Sequence, residues 1–126
     1  MYKNLTIGAA FGMLAVVLGA FGAHALKKIL TLEALNSFET AVRYQIYHAI
    51  VLLFVASFKG FSPKQSRSLT LLFSLGVVLF SGSIYAIYLL GIPAKNIWFI
   101  TPLGGMVLVV AWLVMLAIFF KNREKK

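Results

Sequence analysis

The two histidines of this 126-residue sequence, with one of its three glutamates, are the side chains placed to carry acid–base chemistry. His24 ends a long uncharged run, and His48 follows Glu39 in a later segment. An imidazole that a carboxylate orients can act as a general base, so His24 or His48 with Glu39 is a candidate catalytic arrangement. Two histidines without a further convincing ligand make a poor metal or haem site, and we expect neither a metal nor another cofactor.

The other polar candidates have simpler structural interpretations. Glu39 and Arg43 are spaced one helical turn apart and are predicted to pair on a helix surface, although they could instead line a cavity. Hydroxyl groups within apolar runs are interpreted first as interface or packing residues; these are Tyr44, Ser81, Ser83, Tyr85 and Thr101. No nucleophile elbow and no glycine-rich phosphate loop followed by lysine occurs, so the sequence does not predict an enzyme.

The elements that must position these residues are long and apolar. Hydrophobic residues make up 61% of the chain and charged residues 12%, against about 25% charged in soluble domains. Four charge-free stretches are long enough, alone or extended, for the ~20 residues that cross a bilayer. The sequence therefore predicts an all-α integral membrane four-helix bundle, a single domain over residues 1–126, with helices at about 4–26, 44–60, 68–90 and 97–120.

An amphipathic helix is predicted at about residues 32–43, between the first two spans. Thr31 is suited to cap its start, and Leu35, Phe38 and Val42 fall on one face at helical spacing. This helix is expected either to lie along the membrane interface and then turn into the second span, or to run continuously into it.

Small residues recur every three or four positions in the first span and predict close helix packing. This pattern favours a central place in the bundle for the first helix. The glycines predicted to act as packing contacts are Gly8, Gly12, Gly19, Gly22, Gly82, Gly104 and Gly105.

The distribution of basic residues predicts the orientation of the chain. With four spans, both termini and the middle loop share one side, which carries eight Lys and Arg residues against four on the other. The positive-inside rule then places both termini in the cytoplasm, for a multi-pass protein of the bacterial cell membrane. The net charge of +9 is accordingly interpreted as contact with anionic lipid headgroups rather than with nucleic acid.

This topology brings polar residues of four helices to the outer membrane face. They comprise His24 at the end of the first span, Glu39 to His48 at the second, Ser81 to Tyr85 in the third and Thr101 in the fourth. Polar groups at membrane depth are expected to face the bundle interior or water. We therefore predict a shared polar cluster that opens outwards.

Four segments resemble a known family in order and over nearly the full length. They are Gly19-Ala-Phe-Gly-Ala-His24, Tyr44 to Ala49, Leu79-Phe-Ser-Gly-Ser-Ile-Tyr85, and Thr101-Pro-Leu-Gly-Gly105 followed by Trp112. The sequence resembles the small bacterial membrane family catalogued as domain of unknown function 423, and eukaryotic transmembrane protein 256 looks similar. The resemblance implies a four-helix membrane protein whose biochemical activity is not established.

Three functions follow from these features. The leading one is a non-enzymatic membrane protein whose outer-face cluster binds a small ligand, a lipid or a partner protein, with a homo-oligomer as one form of assembly. The first alternative is a transporter or channel subunit that acts as an oligomer. The second alternative is a membrane enzyme that uses His24 or His48.

Overall fold

The computed structural model describes residues 1–125, and within them the chain is helical with no strand. The α-helices are α1 (Tyr2–His24), α2 (Leu32–Ser57), α3 (Pro63–Leu89), the four-residue α4 (Ala94–Ile97) and α5 (Ile100–Asn122). Two short 3-10 segments, Leu26–Lys28 and Arg123–Lys125, follow α1 and α5. The segments around α1, α2, α3 and α5 are each long and apolar enough to cross a membrane, which confirms the predicted all-α four-helix architecture.

The predicted amphipathic helix is the first half of α2. Thr31 caps α2, since its side-chain oxygen accepts a hydrogen bond from the Ala34 amide at 3.1 Å. The helix then continues without interruption to Ser57, so the chain adopts the continuous form of the two that the sequence left open. At 1.5 Å per residue, the 26 residues extend for about 39 Å.

Helix α3 begins in the basic loop, five residues before the predicted start of the third span. Ser62 and Gln65 form a reciprocal capping box, and Pro63 occupies the first turn, where its missing amide hydrogen costs nothing. Lys64 and Arg67 therefore lie in the first turns of a helix, from which long basic side chains can extend to the membrane surface.

The helices pack in chain order, α1 on α2, α2 on α3 and α3 on α5. Helices α2 and α3 are thus the central pair, and the prediction that the first helix is central is wrong. The four glycines of α1 all face α2, so they serve a single neighbour. The main core lies between α2, α3 and α5 and contains Leu52, Val55, Phe61, Leu69, Phe73, Val77, Leu108, Ala111 and Met115.

Glycines mark the closest helix approaches. A Cβ on Gly8 would lie 3.0 Å from Leu53 Cδ2, and one on Gly22 would lie 2.9 Å from the Phe38 ring, both across the α1–α2 contact. Gly12 and Gly19 face the same helix with more room. A Cβ on Gly104 of α5 would overlap the Phe80 backbone of α3.

Two of the predicted packing glycines play a weaker part or none. Gly105 faces only the Phe80 ring, at 3.7 Å, and a Cβ on Gly82 would meet nothing nearer than Val78 of its own helix, at 4.0 Å. Gly82 is therefore not a helix-packing contact, because it borders an open groove instead.

The start of α1, the end of α5 and the α2–α3 loop lie at the same end of the bundle, which we call the basic end because Lys3, Lys59 and Lys121 belong to it. The rings of Phe58 and Phe119 are 5.8 Å apart, which joins the loop to the end of α5. Lys3 and Lys59 border one recess, which joins the loop to the start of α1. The opposite end, with His24 and Lys95, is called the far end.

Candidate functional site

The predicted outer-face cluster does not form as one site. His24 and Glu39 are exposed, and Arg43 is exposed as well. The expected Glu39–Arg43 ion pair is not made, since Arg43 Nη2 instead points to Thr40 Oγ1 at 3.4 Å. These three charged or titratable groups sit on the helix surface, where water or headgroups can solvate them at little cost.

A buried hydrogen-bond network instead joins α1, α2 and α3 through Gln45. The Gln45 amide nitrogen donates to the Phe11 carbonyl at 2.9 Å, and the Tyr85 hydroxyl donates to Gln45 Oε1 at 2.6 Å. Nearby, the Ser81 hydroxyl donates to the Ala41 carbonyl at 2.7 Å, a second link between α2 and α3. These bonds satisfy polar groups that would be costly to leave unpaired in hydrocarbon.

A second interior contact pairs His48 of α2 with Trp112 of α5. The Tyr44 carbonyl lies 2.6 Å from His48 Nδ1 and can only accept, so Nδ1 carries the proton. Nε2 is then free to accept from the Trp112 indole nitrogen, at 3.1 Å. The Phe73 ring packs beside both, with centroids 5.7 Å from His48 and 5.4 Å from Trp112. The imidazole is therefore neutral, with both nitrogens engaged.

A third contact joins α3 to α5 nearer the far end. The hydroxyls of Ser83 and Thr101 hydrogen-bond to each other, and Ser83 also donates to the Phe80 carbonyl at 2.9 Å. Tyr44, the remaining predicted residue, is 40% exposed, and its ring packs at a tilt against that of Phe80, with the centroids 4.9 Å apart. Neither the Ser83–Thr101 pair nor Tyr44 has a polar contact with His24 or Glu39 among the residues described.

The His48 contact lies at mid-depth in the bundle and not at its outer face. Ala49, the next residue, is opposite Gly12, which is close to the middle of α1. Trp112 is likewise close to the middle of α5. The predicted depth of His48 is wrong because it was measured from the last charged residue, Arg43, whereas the helix begins eleven residues earlier, at Leu32.

A groove of about 190 Å³ opens on the side of the bundle between α1 and α3, and we call it the lateral groove. Phe11, Leu14 and Leu18 of α1 line one wall. Gln45 lies at its base, and the α3 wall consists of Val77, Val78, Ser81, Gly82 and Tyr85. Because the network above engages the amide and hydroxyl groups of Gln45, Ser81 and Tyr85, the lining is mainly apolar.

The lateral groove faces the region that lipid occupies. Leu14 and Val78, one on each wall, are 45% and 55% exposed. Both lie near the middle of their helices, so an exposed apolar surface here contacts hydrocarbon rather than water. The groove can therefore accept an apolar group directly from the bilayer.

A larger recess of about 580 Å³ lies at the basic end, and we call it the basic recess. It is open to one side and is bordered by the start of α1, the end of α2, the α2–α3 loop and the first turns of α3. Three basic side chains, Lys3, Lys59 and Arg67, line it.

Sequence reasoning missed the two residues that organise the interior, Gln45 and Trp112. Gln45 carried a usable signal, because it is a polar amide among apolar residues within a span, and such a residue normally faces the bundle interior. Trp112 carried no comparable signal, because an aromatic residue in an apolar span is not unusual. Its pairing with His48 joins residues 64 positions apart, and no local pattern reports such a contact.

Comparison with known proteins gives a family but no activity. The family described as "Protein of unknown function (DUF423)" matches residues 18–105. The chain is 38% identical to a UPF0382 membrane protein of Haemophilus influenzae, with 97% of each chain covered. It is 38% identical to the UPF0382 membrane protein YwdK of Bacillus subtilis, covering 88% of this chain and 90% of that one.

The UPF0382 inner membrane protein YgdD of Escherichia coli is 33% identical, with 96% of this chain and 92% of that one covered. No solved structure matches the chain. The matched range contains Gln45, His48, Ser81 and Tyr85, and the four apolar helices agree with the membrane names of these relatives. The chain therefore belongs to the DUF423 family of membrane proteins, whose function is not known.

Proposed function

We propose that this protein is a non-enzymatic membrane protein that binds a lipid acyl chain in the lateral groove. The observation that carries the proposal is an apolar groove at mid-membrane depth, whose polar residues are already hydrogen-bonded to one another. Hydrocarbon is the medium outside the groove, and an acyl chain needs no polar partner. The volume of about 190 Å³ is more than ten times the ~15 Å³ that a cavity needs to hold one water molecule, enough for a segment of chain.

The positions of the histidines support a binding protein over the catalytic alternative. For His48 to act as a base or a ligand, it would first have to lose the hydrogen bond from Trp112 or the one to Tyr44. Glu39, the proposed orienting acid, is exposed and is not bonded to either histidine in the described part of the chain. A transporter that couples flux to His48 and Glu39 meets the same difficulty.

Filling the lateral groove tests the proposal. Gly82 borders it with no close neighbour across the groove, so Gly82→Leu adds bulk inside the groove without forcing helices apart. The measurement is native mass spectrometry from mild detergent, which counts the lipids that each protein retains. We expect Gly82→Leu to retain fewer lipid molecules than the unmodified protein, because the lateral groove no longer holds one.

Ala9→Leu is the matched control, because Ala9 is exposed on α1 and does not line the groove. This variant is expected to retain lipid as the unmodified protein does. Equal lipid retention by Gly82→Leu and Ala9→Leu would show that the groove is not the binding site. The same spectra report whether the protein assembles as a homo-oligomer, which remains a prediction.

The proposed location is the bacterial cell membrane, with both termini in the cytoplasm. The eight basic residues on the side of the termini, against four on the other, support this orientation.

A further inference from the structure

The basic recess has the features of an anion site and lies apart from the lateral groove. Lys3 enters it from α1, Lys59 from the α2–α3 loop and Arg67 from α3, so three elements each contribute a positive charge. The recess measures about 580 Å³, and no acidic residue lines it. Positive charges that share one recess repel each other, and an anion placed between them removes that repulsion.

No acid neutralises these cations within residues 1–125. The ion pair found there is Arg123–Glu124 at 3.7 Å, on the surface at the end of α5. Glu33 and Glu39 are in the first half of α2, towards the far end of the bundle. The charges of Lys3, Lys59 and Arg67 are therefore available to a ligand.

The recess also has an apolar side. Phe58, Phe61 and Ala56 contribute to its lining, and Phe61 is 8% exposed because the Phe119 ring stacks on it at 5.3 Å. The helices α1, α2 and α3 all begin or end here, which places the recess at the level of the lipid headgroups. Its ligand should therefore combine a negative charge with an attached apolar part.

We propose that the basic recess binds the phosphate group of an anionic phospholipid. A guanidinium offers a phosphate paired hydrogen bonds, and two ammonium groups add charge from the other walls. The recess is at the start of α3, where the positive end of the helix dipole also favours an anion. Free phosphate would use the same charges but would leave the apolar lining unused, so we assign the lipid as the ligand.

Removing two of the three charges tests this site. The variant Lys3→Gln with Arg67→Gln is compared with the unmodified protein after incubation with vesicles of equal parts phosphatidylglycerol and phosphatidylcholine. Native mass spectrometry then gives the ratio of the two lipids bound. Because two of the three positive charges are removed, the phosphatidylglycerol preference should fall at least about tenfold relative to the unmodified protein.

The control variant Lys64→Gln with Lys121→Gln removes the same charge from the same end but outside the recess. It should keep the preference of the unmodified protein. An equal loss in both variants would show that overall charge, and not the recess, attracts the lipid, and would overturn the proposal. Displacement of bound phosphatidylglycerol by millimolar inorganic phosphate would overturn the assignment of the lipid as the ligand.

Failure here is distinguishable from failure of the proposed function. Filling the lateral groove with Gly82→Leu should change how much lipid is retained and leave the headgroup preference as it was. The recess variant should change the headgroup preference.

Discussion

At the scale of single residues, the hydrogen bond between Trp112 and His48 is the interior contact that substitutions can test most directly. Each ring nitrogen of His48 has a partner, and Trp112 supplies one of them from another helix. Trp112→Phe keeps an aromatic ring against Phe73 but removes the indole donor, and His48→Phe removes the acceptor. Comparable interhelical hydrogen bonds in membranes are worth on average about 0.6 kcal/mol, and up to about 1.7 kcal/mol.

We expect a double-mutant cycle of His48→Phe and Trp112→Phe to give a coupling energy in that range. The measurement is the free energy of reversible unfolding in mixed micelles. Trp98→Phe is the control, because Trp98 is 66% exposed at the far end and should show no coupling to His48. Additive effects of the His48 and Trp112 substitutions would contradict the hydrogen bond.

The sequence identified most of these polar residues but not their partners. Period and composition indicate which face of a helix a residue such as Ser81 or Tyr85 occupies. Its partner depends on how far each helix slides along its neighbour, and Tyr85 meets Gln45 across 40 positions. The expectation that the polar residues of neighbouring spans share one layer was wrong. His24 is exposed, where water or headgroups solvate it, whereas His48 is buried and hydrogen-bonded inside the bundle.

At the scale of helices, Gly104 and Gly105 are adjacent residues with opposite expected behaviour. A Cβ on Gly104 would overlap the Phe80 amide nitrogen and lie 2.7 Å from its Cα, and backbone cannot move aside as a side chain can. Gly104→Ala therefore forces α3 and α5 apart, and we expect a loss of about 1 to 3 kcal/mol in unfolding free energy.

Gly105→Ala is the matched control, since its Cβ would lie 3.7 Å from the Phe80 ring in ordinary contact. The same unfolding experiment should show little change for this variant. If both alanine variants unfold alike, the close α3–α5 crossing at Gly104 is not as the structure shows it.

The existence of the four spanning helices could be predicted from the sequence, but the residues at which the helices begin could not. Charge-free runs identify what can lie in hydrocarbon, and all four spans were found in this way. They cannot show where a helix begins, because α2 and α3 start in polar segments that are stabilised by the Thr31 cap and the Ser62–Gln65 capping box.

Gly76 of α3 is a close-packing glycine that the sequence did not predict, although a Cβ there would lie 3.2 Å from the Leu108 amide nitrogen. One glycine among larger apolar residues gives no sign of which helix it contacts.

At the scale of the whole molecule, the orientation of the bundle decides which leaflet the basic recess faces. The recess lies at the basic end, and the excess of basic residues on that side predicts that this end faces the cytoplasm. The cytoplasmic leaflet is also where a negative surface potential attracts basic segments. The orientation and the recess proposal therefore depend on the same charges.

Single cysteines can determine this orientation cleanly because the chain contains none of its own. Asn96→Cys marks the far end and Lys64→Cys the basic end, and both positions are exposed. Lys64→Cys lowers the basic count on its side from eight to seven, which still exceeds four. A membrane-impermeant maleimide should label Asn96→Cys in intact cells and Lys64→Cys only after the membrane is opened. The reverse pattern would place both termini outside, and the basic recess would then meet the lipids of the outer leaflet.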